Sequence, residues 1–333
     1  MKRIFVKNLR EHVNEEIEDY FLVLNVKIKK KKDGGDYIDL VLSDATGSVP
    51  ARVFDNVQEN LNHLKEGQVA LVKGYVDQFR DEINLKILEA TQKEDFEVKD
   101  FIPTTTRDIE RMVLDLHRNI ERVTNPHLKE LLRRFFNDPE FMEKFKMAPA
   151  AKANHHAYIG GLLEHTLNVT ELCVSIASRY REVNFDVLIT GALLHDIGKV
   201  EEYSYFPKID RTDIGRLLGH LVIGYEMIMR KIREMKNYRG GFPEDLKLQI
   251  LHLVISHHGE LEWGSPVRPM TLEAQILHFA DNMDSKVWMF IDARRKRRDP
   301  YSRWSEYLQS LKRYVYLGEP EAETEDITDE LFQ

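Results

Sequence analysis

The sequence holds a single cysteine, Cys173, so no intramolecular disulfide can form. Cys173 lies in an apolar helical stretch with Leu172, Val174 and Ile176, the setting of a buried, inert thiol. No apolar run is long enough to span a bilayer. The N-terminus is polar within ten residues and shows no signal-peptide pattern, so the expected compartment is the cytoplasm, without membrane contact. There is no repeat period, which excludes a solenoid. No serine, cysteine or second histidine is arranged as a recognisable nucleophile. An excess of basic charge is absent too: 48 Lys and Arg against 56 Asp and Glu give a formal net charge of −8. That disfavours a protein that coats duplex DNA. It leaves a nuclease open, because an acidic shell can surround a basic groove and metal ions add charge that a residue count omits. Part of the acidity lies in residues 319–330, which have the composition of a solvated tail.

What is present suffices for two domains: 333 residues, 42% hydrophobic and 31% charged. Up to about Asp95 the pattern is strand-like. Residues 20–29 alternate apolar and polar side chains, and Asp33-Gly34-Gly35-Asp36 makes a hairpin turn. Further strands are expected over 37–42, 49–54, 69–79 and 82–90, with a short helix at 57–64. Five short strands with a helix between the third and fourth match an OB-fold, a small barrel that commonly binds single strands or sugars. After Asp100 the texture becomes helical. Thr106 is the expected N-cap of a helix over 107–123. Helices are also expected over 126–137, 139–146, 159–180, 186–197, 213–235, 243–257 and 271–297. The fold class is therefore multidomain, a small all-β OB-like barrel followed by a mainly α-helical domain. The expected boundaries are 1–95 for the barrel, 96–105 for a linker, 106–317 for the helical domain and 318–333 for an acidic tail.

Within the helical region, ionisable residues interrupt apolar faces again and again. His165 follows Gly160-Gly161-Leu162-Leu163-Glu164, and His195-Asp196 closes the apolar run at 189–194. His220 lies between Gly215 and Gly224, His257-His258 ends another apolar helix, and Asp281 sits in the last long one. An unpartnered imidazole or carboxylate costs several kcal/mol to bury. One such residue can be absorbed by a hydrogen bond, whereas five helices each carrying one are better explained by a shared cation. Imidazole with carboxylate suits manganese, iron, cobalt, nickel or zinc. A pair of ions about 3.5–4 Å apart can clamp an in-line displacement at phosphorus.

The spaced pattern of His165, His195-Asp196 and Asp281 resembles the HD superfamily of phosphohydrolases, with Leu-Leu-His-Asp-Ile-Gly-Lys (193–199) as its specific part. With an OB-like domain in front, the chain resembles the YhaM-type 3′→5′ exoribonucleases over about residues 1–315. Gly-Gly-Leu-Leu-Glu-His-Thr (160–166) and Ser-His-His-Gly (256–259) carry the same likeness. The resemblance implies that His165, His195, Asp196 and Asp281 hold one divalent ion, with manganese favoured. Asp196 would bridge to a second ion held by His220 and by His257 or His258. Sequence alone does not choose within that adjacent pair, though His257 is favoured. Lys199, one turn past the His-Asp pair, is placed either to stabilise charge on a phosphate oxygen or to end its helix in solvent. His155 and His156 either touch a substrate phosphate or cap the first ligand helix. The implied reaction is hydrolysis by a metal-activated water that releases 5′-mononucleotides from the 3′ end of single-stranded RNA, and a homo-oligomer is also implied.

In the OB-like domain, Lys29, Lys30, Lys31 and Lys32, next to Lys27, form a basic run that either tracks phosphates or solvates a hairpin end. Tyr37, Phe54, Tyr75 and Phe79 are candidates to stack bases, though at least half of them are expected to fill the barrel. The cluster at 294–298 either guides a strand or forms a subunit contact. Trp288 and Trp304 are expected to pack. Two other classes compete with the exonuclease. A phosphohydrolase of a small or cyclic nucleotide would have no need of a strand-binding barrel. A non-catalytic single-strand binder would be expected to have lost at least one of the ligands or Lys199.

Overall fold

The computed structural model describes residues 2–32, 34–153, 156–297, 299 and 301–319. Five strands close a barrel in the order β1-β2-β3-β5-β4: β1 Glu16–Lys30, β2 Asp36–Asp44, β3 Gly47–Val53, β4 Val69–Phe79 and β5 Glu82–Lys93. β1 pairs antiparallel with both β2 and β4, and the parallel contact of β3 with β5 completes the circle. Helix α1, Val57–His63, lies between β3 and β4 as expected. Residues ahead of β1 are not strand. Val6–His12 is a 3-10 helix whose Leu9 joins the barrel core.

The barrel interior is aliphatic. Ile38, Leu40 and Leu42 of β2, Val49, Ala51 and Val53 of β3, and Ala70, Val72 and Val76 of β4 all point inward. Phe21 is the single ring in this buried cluster. The expectation that half of Tyr37, Phe54, Tyr75 and Phe79 fill the barrel is therefore corrected: none is fully buried. Side chains alternate along a strand, and these four fall on the outward parity, where Tyr75 is 43% and Phe79 66% exposed.

The second domain comprises α2 Ile109–Arg122, α3 Pro126–Phe136, α4 Pro139–Met147, α5 Gly161–Ala177, α6 Phe185–Leu194, α7 Lys199–Glu202, α8 Asp213–Glu234, α9 Glu244–Ser256 and α10 Leu272–Arg295. A two-stranded ribbon, β6 Tyr203–Ser204 with β7 Asp210–Arg211, was not expected. Asp108, not Thr106, caps α2: its side chain accepts from the Arg111 N–H. The carboxylate stands one residue before the first turn, which places it on the free amides there. Helix α6 is apolar all round and buried throughout from Val187 to Leu194, as such a helix must be. Helices α5, α9 and α10 pack around it.

The stretch expected as a linker is a packed seam. Phe101 and Ile102 are 2% and 4% exposed, and they share a core with Leu22 and Val69 of the barrel and Ile159 ahead of α5. The expected acidic tail lies outside the described residues from position 320 onward.

Candidate metal centre

Helix α6 ends at Leu194, and the next two residues, His195 and Asp196, face α5, α8 and α10. Asp196 is 1% exposed and its two oxygens look in different directions. Oδ2 lies 3.4 Å from His165 Nε2 and 3.3 Å from His195 Nε2. Oδ1 lies 3.5 Å from both His220 Nε2 and His257 Nε2. On the first side Asp281 Oδ1 stands 3.1 Å from His165 Nε2. On the second, His258 Nε2 stands 3.2 Å from His220 Nε2. The choice between His257 and His258 dissolves, because both rings turn in and group with His220.

The outer nitrogens decide what the inner ones can do. His195 Nδ1 bonds the Ala192 carbonyl at 2.8 Å, His257 Nδ1 the Val254 carbonyl at 2.8 Å, and His258 Nδ1 the Trp263 carbonyl at 3.0 Å. His220 Nδ1 bonds Glu202 Oε2 at 2.8 Å, and His165 Nδ1 bonds Asp284 Oδ2 at 2.7 Å. Carbonyl and carboxylate oxygens only accept, so each Nδ1 carries the hydrogen. In the neutral rings every Nε2 is then a bare lone pair pointing into the centre. His165 and His195 bring two of these to 3.3 Å, an arrangement that requires a cation or a proton between them. Asp196 Oδ1 is buried and accepts no hydrogen bond. Five imidazole nitrogens and two carboxylates, one of them with an orphaned oxygen, are donors suited to divalent ions, and they fit such a group.

Electrostatics agree with that division. Burial pushes His220 and His257 below the ordinary imidazole value. Burial, with the neighbouring His257, takes His258 down to about 4. These rings are neutral and ready to ligate. Burial also opposes charge on Asp196, yet Lys199 and the histidines outweigh it and hold the carboxyl well below its usual range. On His165 burial is outweighed by hydrogen bonds to Asp196, Asp281 and Asp284, which hold its pKa well above the ordinary value. Without an ion, a proton on His165 takes the cation's place.

Two glycines let the backbone come close enough. A Cβ on Gly198 would lie 2.1 Å from the His220 carbonyl oxygen, so only glycine lets α8 bring His220 against Asp196. Gly259, at φ +86°, turns the chain directly after His257-His258, and the His278 ring occupies the place of its Cβ.

Several expected roles change. Lys199 is not a solvated helix end: it is 6% exposed, and its Nζ lies 2.6 Å from Asp196 Oδ2. It still lines the pocket of about 200 Å³ above the centre, with His258, Trp263, Asp281 and Asn282. His156 neither meets solvent nor caps α5, whose N-cap is Gly160. The ring is fully buried, with Nε2 on Asp284 at 3.0 Å and Nδ1 on the Tyr158 hydroxyl at 2.7 Å, so both nitrogens are engaged inside the protein. His155 lies outside the described residues. In the barrel, Lys29 pairs with Asp39, Lys30 with Asp36 at 2.7 Å, and Lys31 with the Phe54 carbonyl at 2.8 Å. Of that run Lys32 alone has no such tie among the described residues. Tyr37 and Phe54 stack at 5.5 Å. In the basic cluster Lys296 pairs with Asp292, Arg297 binds the Gly318 carbonyl, and Arg298 is outside the described residues. Trp288 packs on His156, whereas Trp304 is 55% exposed beside Tyr316.

Asp284 and Glu202, which orient His165 and His220 from behind, went unread in the sequence. Asp284 lies one helical turn beyond Asp281, and that spacing on one face was the available signal.

Comparison with known proteins places both halves. An OB-fold nucleic acid binding domain matches residues 22–92, and an HD domain matches residues 162–286. The chain is thus an OB-fold domain joined to an HD domain. Relatives named 3′-5′ exoribonuclease YhaM align over most of it. The Geobacillus protein is 32% identical over 280 residues, 83% of this chain and 84% of its own. The Oceanobacillus iheyensis protein is also 32% identical over 280 residues, covering 83% and 86%. The Bacillus subtilis protein is 31% identical over 282 residues, covering 83% and 87%. The chain belongs to the YhaM 3′→5′ exoribonuclease family.

Proposed function

We propose that this protein is a divalent-metal-dependent 3′→5′ exonuclease that acts on single-stranded RNA and releases 5′-mononucleotides, with manganese as the working ion. The observation that carries the reading is the convergence of four Nε2 lone pairs on the two oxygens of Asp196, with a fifth, from His258, beside His220. His165, His195 and Asp281 with Asp196 Oδ2 would hold one ion, and His220, His257 and His258 with Asp196 Oδ1 the other. Divalent ions there supply Lewis acidity that activates water and offsets charge at phosphorus. The chain's own residues do the rest. Lys199 keeps Asp196 ionised and adds positive charge in the pocket wall, beside a phosphate bound over the centre. The Nδ1 partners fix each ring so that none turns as charge develops. An all-nitrogen-and-oxygen donor set supports manganese over a thiophilic ion.

The barrel is the proposed strand holder. Phe79 and Tyr75 are exposed rings on β4, the Tyr37–Phe54 pair and Lys32 lie by the first hairpin, and such aromatic and cationic surfaces bind single strands. Self-association is proposed through α10, where Phe279, Met283 and Val287 are exposed along one side. No helix among the described residues is long and apolar enough to cross a membrane. The cytoplasm is the proposed compartment, supported by the single buried thiol.

The test is degradation of a 5′-labelled RNA with manganese and with chelator. A metal-dependent ladder shrinking from the 3′ end supports the reading. A strand left intact under every divalent ion sinks it and returns the small-nucleotide hydrolase.

A further inference from the structure

The pocket above the metal centre does not end at the candidate ligands. Trp263 and Asn282 line it and also line a second hollow of about 410 Å³, so the two form one groove. Its far part runs between α10, which contributes Lys286, and residues 310–313 of the C-terminal segment, which contribute Lys312 and Arg313. No carboxylate lines this part. Lys286, Lys312 and Arg313 make no ion pair with any described residue, although the chain carries more acidic than basic side chains. At the C-terminal end of α10 the contrast is plain, since the capping residue Lys296 is neutralised by Asp292 at 2.9 Å.

At the junction of the two hollows stands Trp263. The residue is 53% exposed, although it is tied to the centre through its carbonyl, which accepts from His258 Nδ1 at 3.0 Å. Lys286 Nζ sits 5.6 Å from the ring centroid. A tryptophan that only packed would have its faces covered. A half-exposed indole, followed by cations that no described carboxylate neutralises in a groove leading from the candidate metal centre, has the makeup of a single-strand path.

We infer that this groove is a second nucleic-acid site, separate from the barrel. The Trp263 indole stacks on the base of the nucleotide beside the metal centre. Lys286, Lys312 and Arg313 hold the phosphates of the nucleotides on its 5′ side. The inference rests on the exonuclease reading and adds the route by which the strand enters.

The test measures binding of a fluorescent RNA octamer and a dinucleotide in chelator, across a range of salt, and then octamer degradation with manganese. Wild type is compared with Trp263→Ala, Trp263→Phe and the triple Lys286→Ala, Lys312→Ala, Arg313→Ala. Trp263→Ala should weaken octamer binding on the order of 10-fold, and Trp263→Phe should recover most of it. The triple variant should weaken the octamer far more than the dinucleotide. It should also flatten the dependence of log affinity on log salt by about two, since each phosphate contact on a single strand contributes about 0.7. Manganese stoichiometry and melting temperature establish that each variant is folded. Wild-type octamer affinity and salt slope in both Trp263→Ala and the triple variant overturn the groove. If wild type degrades RNA, such a result leaves the exonuclease standing. Weakened octamer binding in the variants, with RNA left intact by wild type, keeps the groove and removes the exonuclease. A wild type that neither binds nor degrades RNA overturns both.

Discussion

Asp284→Asn isolates the support behind the first three-residue group. Asp284 accepts from His165 Nδ1 at 2.7 Å and His156 Nε2 at 3.0 Å through Oδ2, and from Asn168 Nδ2 at 3.0 Å through Oδ1. Asparagine keeps the shape but turns one acceptor into an NH₂ donor. Three donors then converge on one oxygen and one NH₂, so at least one of them faces another donor. The least costly arrangement keeps the carbonyl on the two histidines and sets NH₂ against Asn168. Asn168 can answer by turning its own amide, at the expense of its exposed bond from Arg107. The stability loss should therefore fall near the low end of about 1–3 kcal/mol for an unsatisfied buried group. The effect on the metal is larger in kind. A carboxylate behind a ligating histidine raises its basicity, and losing one costs about 10–100-fold in metal affinity. Calorimetric titration of metal-free protein with manganese should show one Kd raised by that factor, while the group of His220, His257 and His258 keeps its own. Two unchanged Kd values, or a loss confined to the second site, would refute the argument. Unchanged binding with lost activity on RNA would mean that Asp284 acts on substrate and not through His165.

Asp196→Ala should abolish metal-dependent degradation of labelled RNA. It should also lower stability in urea by about 3–5 kcal/mol, because it strands the buried Lys199 ammonium 2.6 Å from its lost partner. Gly198→Ala puts a methyl 2.1 Å from the His220 carbonyl oxygen and 2.7 Å from the Gly224 nitrogen, so α8 must retreat. The second equivalent of manganese should be lost before the first, as metal analysis after dialysis would record. At pH 7 the metal-free protein should release close to one proton on binding manganese, read by calorimetry in buffers of different protonation enthalpy. The sign follows from His165: its pKa is raised, so the ring is protonated below that value and must give up a proton to ligate. Release should fade as pH rises through the His165 pKa. The depressed His220, His257 and His258 should add protons only below pH 6.5. Phe79→Ala on the barrel should leave stability within about 0.5 kcal/mol, since the ring is 66% exposed. It should weaken single-strand binding several-fold if that ring stacks a base.

The candidate ligands could be read in the sequence for a physical reason that does not extend to their supports. An ionisable side chain on an apolar helical run conflicts with its own neighbourhood, and a pattern can register that conflict at His165, His195-Asp196, His220, His257-His258 and Asp281. Asp284 and Glu202 generate no such conflict. Each looks like one more carboxylate on a mixed helix until the fold sets it behind a histidine from another element. The same distinction covers Trp263, which follows Leu261 and Glu262 in a short 3-10 turn, Leu261–Trp263, and is tied to the centre only because its carbonyl accepts from His258. The barrel aromatics are a different case. Tyr75 and Phe79 share strand parity with Lys73 and Asp77, opposite Val72 and Val76, and Phe54 shares parity with Arg52, opposite Val53. Their outward direction was therefore present in the alternation, and propensity to fill a core was the wrong principle to apply to them. Parity is set by backbone geometry and survives any tertiary context that keeps the strand, whereas the preference of a ring for the interior yields whenever aliphatic residues already fill the barrel. Where the two disagree, parity predicts the exposed face, and on this chain that face carries the rings proposed to meet RNA.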